Sequence, residues 1–222
     1  MKFLLNSCIN TLPTQDNLFM WNKSATDKCF LCKNRKTTLH CLSNCPVQLQ
    51  SGRYLWRHNN IVSSIDSCLD KEKFTVYSDI PGHTTQTGRT IPVEIHPTVD
   101  RPDIVIIDQK TKSLHVWELT VPFETNIEKR NTDKNNKYAY LITDVTTHKV
   151  NVTAFEIGVR GHITTDNNLR LKDLFKFCRK DTKFKTFKDN ISSLAITSSY
   201  YLFCSRKELT WPDDTPAISP IF

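Results

Sequence analysis

Apolar positions along the chain follow two periods. Residues 103–108, DIVIID, form a nearly continuous apolar run of the kind a buried strand shows. QKTKS then reads as a turn, and LHVWELTV (114–121) as a second strand rich in β-branched and aromatic residues. KVNVTAFEI (149–157) alternates like a third strand. Helical spacing governs 53–69, where Leu55, Val62, Ile65 and Leu69 share one face, and it recurs over 126–142, 169–180 (Leu171, Leu174, Phe175, Cys178) and 190–205. Two short extended stretches, Phe74–Tyr77 and Thr90–Val93, flank a Pro-Gly and Thr/Gly-rich turn region. Residues 1–28 form a polar lead-in anchored by Leu12, Leu18, Phe19 and Trp21, and 206–222 a loose, proline-rich tail. The expected division is lead-in 1–28, a cysteine-rich knuckle 29–52, a connecting helix 53–73, a main domain 74–205 and the tail 206–222.

Length permits this division, since 222 residues fill one core and leave a small accessory module. The net charge of +7 favours a polyanionic partner without requiring one. Only 5 glycines are present, which excludes a glycine-rich phosphate loop. Four of the 8 cysteines crowd into residues 29–45. The MKFLLNSC start has too short an apolar run for a secretory signal, and no segment is long enough to span a membrane. The expectation is an intracellular, reducing compartment, no membrane partner, and clustered cysteines that bind metal rather than form disulfides.

The cluster reads Cys29-x2-Cys32-x7-His40-x4-Cys45. A C-x2-C turn aims two thiolates at one point, and a short return brings a nitrogen and a third sulfur, the tetrahedral set that structural Zn²⁺ takes. So short a segment has no core, so metal binding would supply its folding energy. Cys41 is the alternative fourth ligand, and buried, metal-free thiols are the alternative to a zinc site. Knuckles of this size either grip nucleic acid or only hold a domain together; Lys33, Arg35 and Lys36 tilt the expectation towards nucleic acid.

A second constellation lies in RPDIVIIDQKTKSLHVWELT. If Ile107 pairs with Leu114 in a hairpin, Asp103 falls opposite Glu118, and cross-strand neighbours on one face sit about 5 Å apart. Carboxylates that close repel unless a cation intervenes, and a hard divalent ion, Mg²⁺ or Mn²⁺, suits them. On the following helix Ile127, Asn131, Lys134, Tyr138 and Leu141 share a face, with Lys137 rotated off it. A lysine on a buried face needs a partner, and the carboxylates offer one. The plainer reading makes Asp103 a strand start, Glu118 a solvent-facing strand residue and Lys134 a snorkelling surface lysine.

The ordered series LPTQDNLFMWNKS, the knuckle, RYLWRHNNIV, RPDIVIID, ELTVPFETNIEKR, KNNKY, EIGVRG and SSYYLFCSR, spanning about residues 12–205, resembles the C-terminal part of a non-LTR retrotransposon polyprotein of the restriction-enzyme-like endonuclease type. The resemblance implies an α/β, PD-(D/E)xK nuclease fold, a mixed sheet flanked by helices. It makes Asp103 and Glu118 metal ligands, with the Leu119 carbonyl a third. Thr120 stands where that nuclease pattern usually has lysine, and the resemblance moves the catalytic lysine to the next helix, as Lys134 or its rival Lys137. Glu94 is a candidate additional acid. Arg57 and His58 match an Arg-His motif, as nucleic-acid or structural contacts, and Arg160 between two glycines is a candidate phosphate contact.

The resemblance further implies a DNA substrate, with RNA a second candidate, a 3′-hydroxyl product that could prime reverse transcription, and a nuclear location. The family's polymerase is absent from this sequence, which implies a truncated copy, a partial gene or a stand-alone derivative, with any reverse transcriptase domain supplied elsewhere. Two non-enzymatic expectations stand beside the nuclease: a zinc-containing nucleic-acid-binding protein that has lost catalysis, and an interaction protein that binds no nucleic acid.

Overall fold

The structure, a computed structural model, describes residues 2–212. Residues 213–222 of the expected tail lie outside the described residues.

A mixed four-stranded sheet forms the centre: β1 (Thr75–Ser78), β2 (Ile104–Asp108), β3 (Ser113–Thr120) and β4 (Lys149–Glu156), in that spatial order. β1, β2 and β3 pair antiparallel, and β4 runs parallel to β3. Ile107 pairs with Leu114, the expected register. A parallel return needs a crossover, and α5 (Ile127–Tyr138) with α6 (Leu141–Asp144) supplies it. Thr90–Val93, expected to be extended, pairs with no strand. Pro92 has no N–H to give a ladder, and Ile91 instead plugs into the core from a loop.

Alternation along the strands divides the core. Ile104, Ile106, Trp117, Leu119 and Phe155 face α4 (Arg53–Cys68), α7 (Thr165–Phe175) and α8 (Phe184–Cys204). Val105, Ile107, Leu114 and Val116 face Tyr138 and Leu141 of the crossover. The same parity puts Asp103 and Glu118 on the crossover side.

α4 matches its expected span but not its whole expected face. Val62, Ile65 and Leu69 are buried, whereas Leu55 is exposed. Its N-terminal half buries Arg53 and Arg57 instead, because both guanidinium groups find carbonyl partners below the helix. α7 begins earlier than expected, at a Thr164 cap whose hydroxyl accepts from the Asn167 N–H. α8 extends six residues before its expected start.

The lead-in holds α1 (Lys2–Cys8) and α2 (Gln15–Met20), the latter capped by Thr14. These short helices lack a long apolar face, and polar residues such as Asn17 anchor them through backbone carbonyls. α3 (Pro46–Gln50) follows the cysteine cluster. The beginning of the expected tail is packed rather than loose. Arg53 donates to the Glu208 carbonyl, and Trp211 lies against Trp56 and Tyr201. No helix among the described residues is long and apolar enough to cross a membrane.

Candidate functional site

The cysteine cluster folds around its own backbone. Cys29 N–H donates to Asn34 O, Lys33 N–H to Cys29 O, and Lys33 takes a positive φ of 64° that closes the C-x2-C turn. A single turn of π-helix, His40–Asn44, then returns the other two ligands. The donor atoms of Cys29, Cys32, His40 and Cys45 all lie within 4.8 Å of one another, and Cys32 Sγ is 3.3 Å from His40 Nε2. A tetrahedral zinc ion with ordinary bond lengths would space such donors about 3.5–3.8 Å apart, so the set fits. Burial raises the Cys29 thiol, but N–H groups of Cys32 and Leu31 and the charge of Lys36 outweigh it and lower the pKa. Cys41 is not part of the set. It is buried beside Leu12, Leu42 and Phe203, and burial pushes its thiol up to about 12.

This cluster is wired into α4. The Tyr54 hydroxyl donates to the His40 carbonyl and accepts from the Cys45 N–H. One turn on, Arg57 donates to the carbonyls of Leu42 and Val121 and to Ser199 Oγ. It is 2% exposed, and burial lowers its pKa to about 10 while leaving it charged at neutral pH.

Several expected nucleic-acid contacts are therefore corrected. Arg57 has its guanidinium committed inside the fold. Lys36 is 1% exposed and donates to the Arg206 carbonyl, and burial lowers its pKa. Arg160 pairs with Glu124, donates to the Ser7 carbonyl and lies over the Phe123 ring. Gly158 makes room for that contact, since a Cβ on it would come within 2.6 Å of the Glu124 carboxylate. Lys33 and Arg35 are exposed, with Arg35 paired to Asp16.

The carboxylate pair is assembled at one end of the sheet. Asp103 N–H donates to Glu118 Oε2 (3.1 Å), and Leu119 N–H donates to Asp103 Oδ2 (2.7 Å). Both acids are buried, Asp103 at 8% and Glu118 at 3% exposure. From α5, Lys134 donates its ammonium to Glu118 Oε1. Lys137 turns away, to the Tyr138 hydroxyl (2.9 Å) and towards Asp100 (3.7 Å). From α4, on the other side of the sheet, His58 Nε2 reaches Asp103 Oδ2 at 3.1 Å and the Leu119 carbonyl at 3.3 Å.

Electrostatics follow from this packing. Burial and the neighbouring Asp103 raise the Glu118 pKa against the opposing pull of Lys134. Burial alone would lower His58, but Asp103 overrides it and lifts the imidazole to about 9. Tyr138, raised by burial and by Glu118 and Asp103, closes the site from beneath. The sequence placed Tyr138 on the Lys134 face, but nothing in it linked the phenol to the acids. Glu94 is exposed in a turn and forms no ion pair with this group.

Among the described residues, the cysteine cluster is the only group of three or more Cys, His, Asp and Glu donors within 4.8 Å of one another. His58, Asp103 and Glu118 do not form such a group, and Lys134 holds one oxygen of Glu118.

Fold and site together define a mixed α/β protein with a Cys/His cluster able to hold a metal ion such as zinc. Its second feature is a buried carboxylate pair met by a lysine and a histidine. In comparisons with known proteins, no family model matches the chain and no curated protein matches it significantly.

Proposed function

We propose that the chain is a metal-dependent DNA endonuclease of PD-(D/E)xK type and retrotransposon origin. The observation that carries this reading is the meeting of Asp103, Glu118 and Lys134 at one end of a mixed sheet. Asp103 and the Leu119 carbonyl are the groups that would hold Mg²⁺ or Mn²⁺, hard oxygen donors of the kind such ions take, with Glu118 beside them under Lys134. A divalent ion there supplies Lewis acidity, polarising the scissile phosphate and acidifying water.

Lys134 places a positive charge where it can orient that water or offset charge building on the phosphate oxygens. Water adds to phosphorus, the P–O3′ bond breaks, and the leaving oxygen takes a proton, giving a 5′-phosphate and a 3′-hydroxyl. That hydroxyl could prime a reverse transcriptase supplied by another domain or chain. The cysteine cluster would carry structural Zn²⁺, and a DNA substrate implies a nuclear location.

The test is nicking of supercoiled plasmid with Mg²⁺ or Mn²⁺. Wild type should nick, and Asp103→Ala and Glu118→Ala should not. An inert wild type would rule the enzyme out.

One observation favours a second reading, a nucleic-acid-binding protein that has lost catalysis. Each acid already has a basic partner, His58 or Lys134, so the pair is neutralised by the protein's own groups. Salt-dependent DNA binding by an inert wild type would select it.

A further inference from the structure

We propose that His58 Nε2 is a direct ligand of the divalent ion at the carboxylate pair, and that this nitrogen makes the site favour Mn²⁺ over Mg²⁺. The inference rests on the nuclease reading of that pair.

Three observations carry it. The first is spacing. Nε2 lies 3.1 Å from Asp103 Oδ2 and 3.3 Å from the Leu119 carbonyl oxygen. An octahedral ion with bonds of about 2.1–2.2 Å sets neighbouring donors about 3.0–3.1 Å apart. The imidazole nitrogen therefore stands from each of the two oxygens about as neighbouring donors of such a sphere do.

The second is the other ring nitrogen. Nδ1 lies 3.1 Å from Asn59 Oδ1, an atom that only accepts. That contact fixes the orientation of the ring, so that Nε2 points at two oxygens. A ring nitrogen fixed by an oxygen acceptor is the usual outer support of a metal-bound histidine.

The third is the position of Glu118. Its outer oxygen is held by Lys134 and its inner one by the Asp103 N–H, so this acid does not bring a free donor to the point where Asp103 and Leu119 converge. His58 does, from a rigid support. The preceding residue, Arg57, ties α4 to the Val121 carbonyl just beyond β3. An all-oxygen set suits Mg²⁺, whereas an imidazole nitrogen shifts preference towards a transition-series ion.

The experiment uses the full chain with the cysteine cluster loaded with zinc, which its thiolates retain against a harder ion. Mn²⁺ binding is followed by electron paramagnetic resonance, with electron spin echo modulation reporting nitrogen bonded to the ion. Wild type should show modulation from ¹⁴N that changes to the ¹⁵N pattern when histidine is ¹⁵N-labelled. Mn²⁺ should bind about tenfold or more tighter than Mg²⁺. His58→Gln should lose the modulation and most of that preference.

Mn²⁺ that binds, is lost in Asp103→Asn and shows no coupled nitrogen in wild type would overturn the role of His58 and leave the carboxylate site standing. Absence of any Asp103-dependent Mn²⁺ binding would remove the nuclease reading itself. The isotope measurement needs no substitution at His58, so a misfolded variant cannot obscure the result.

Discussion

Lys134 and Lys137 lie three residues apart on α5 and do different work. Lys134 reaches the Glu118 carboxylate at the end of the sheet, while Lys137 lies over the Tyr138 ring and near Asp100. If the pair cuts DNA, Lys134→Met should lower the nicking rate by about 10²-fold or more, the scale of a positioned proton-transfer or charge-stabilising group. Lys137→Met should cost less than about tenfold. A single-turnover plasmid assay decides it, and equal effects would return the two lysines to rival status.

Glu156 is a further buried acid, held by the Asn131 amide and near Arg170. Burial raises its pKa, and Asn131, Asn167 and Arg170 offset only part of the shift. A raised carboxyl pKa favours the protonated form in the folded protein. Its contribution to stability is therefore present at low pH and falls as pH rises from the ordinary carboxylate range through the raised value. Thermal melts of wild type and Glu156→Gln at pH 4 and pH 7 should show wild type losing ground to the variant at the higher pH. A gap independent of pH would mean that the acid is not raised.

At the scale of elements, α4 links the two sites. Its first turns hold the cysteine loop through Tyr54 and Arg57, and its next residue, His58, touches Asp103. If the cluster holds zinc, stripping it should loosen residues 29–45 and the start of α4 first. Such a segment gets its folding energy from the ion, and a loss of about 3–5 kcal/mol corresponds to a melting-temperature fall on the order of 10 °C in a domain of this size. Chelator-treated protein followed by calorimetry and hydrogen exchange checks this. Protection lost uniformly, with no excess in 29–45, would contradict it.

The elements themselves were legible to different degrees. β2, β3 and β4 declared themselves by burial and β-branching, and the expected register of β2 with β3 followed from joining them by a short hairpin turn. α1 and α2 were not legible, since their fixing contacts are made by polar residues such as Asn17 and Thr14. Periodicity reports apolar faces and is blind to such anchors.

For the whole molecule, the surplus of basic residues is divided between surface and interior. Lys36, Arg53 and Arg57 carry their charges into the fold, so they add to the net charge of +7 while satisfying buried carbonyls. Lys33 and Arg35 stay at the surface of the cysteine cluster. If the protein binds DNA there, a Lys33→Ala/Arg35→Ala double variant should reduce the salt slope of binding by about one to two. Fluorescence anisotropy between 50 and 200 mM salt, the range over which such phosphate contacts weaken by orders of magnitude, provides the measurement. An unchanged slope would take the cluster out of the interface.

The sequence by itself determined the strands, the long helices, the Cys29–Cys32–His40–Cys45 spacing and the opposition of Asp103 to Glu118, because each is set by local periodicity or by neighbours a turn or a hairpin away. Only the tertiary structure decided which charges are buried, that His58 approaches Asp103 from across the sheet, and that Arg160 closes on Glu124. Those pairings join residues as far apart as 45 positions, and nothing in the spacing of such residues records where folding will bring them together.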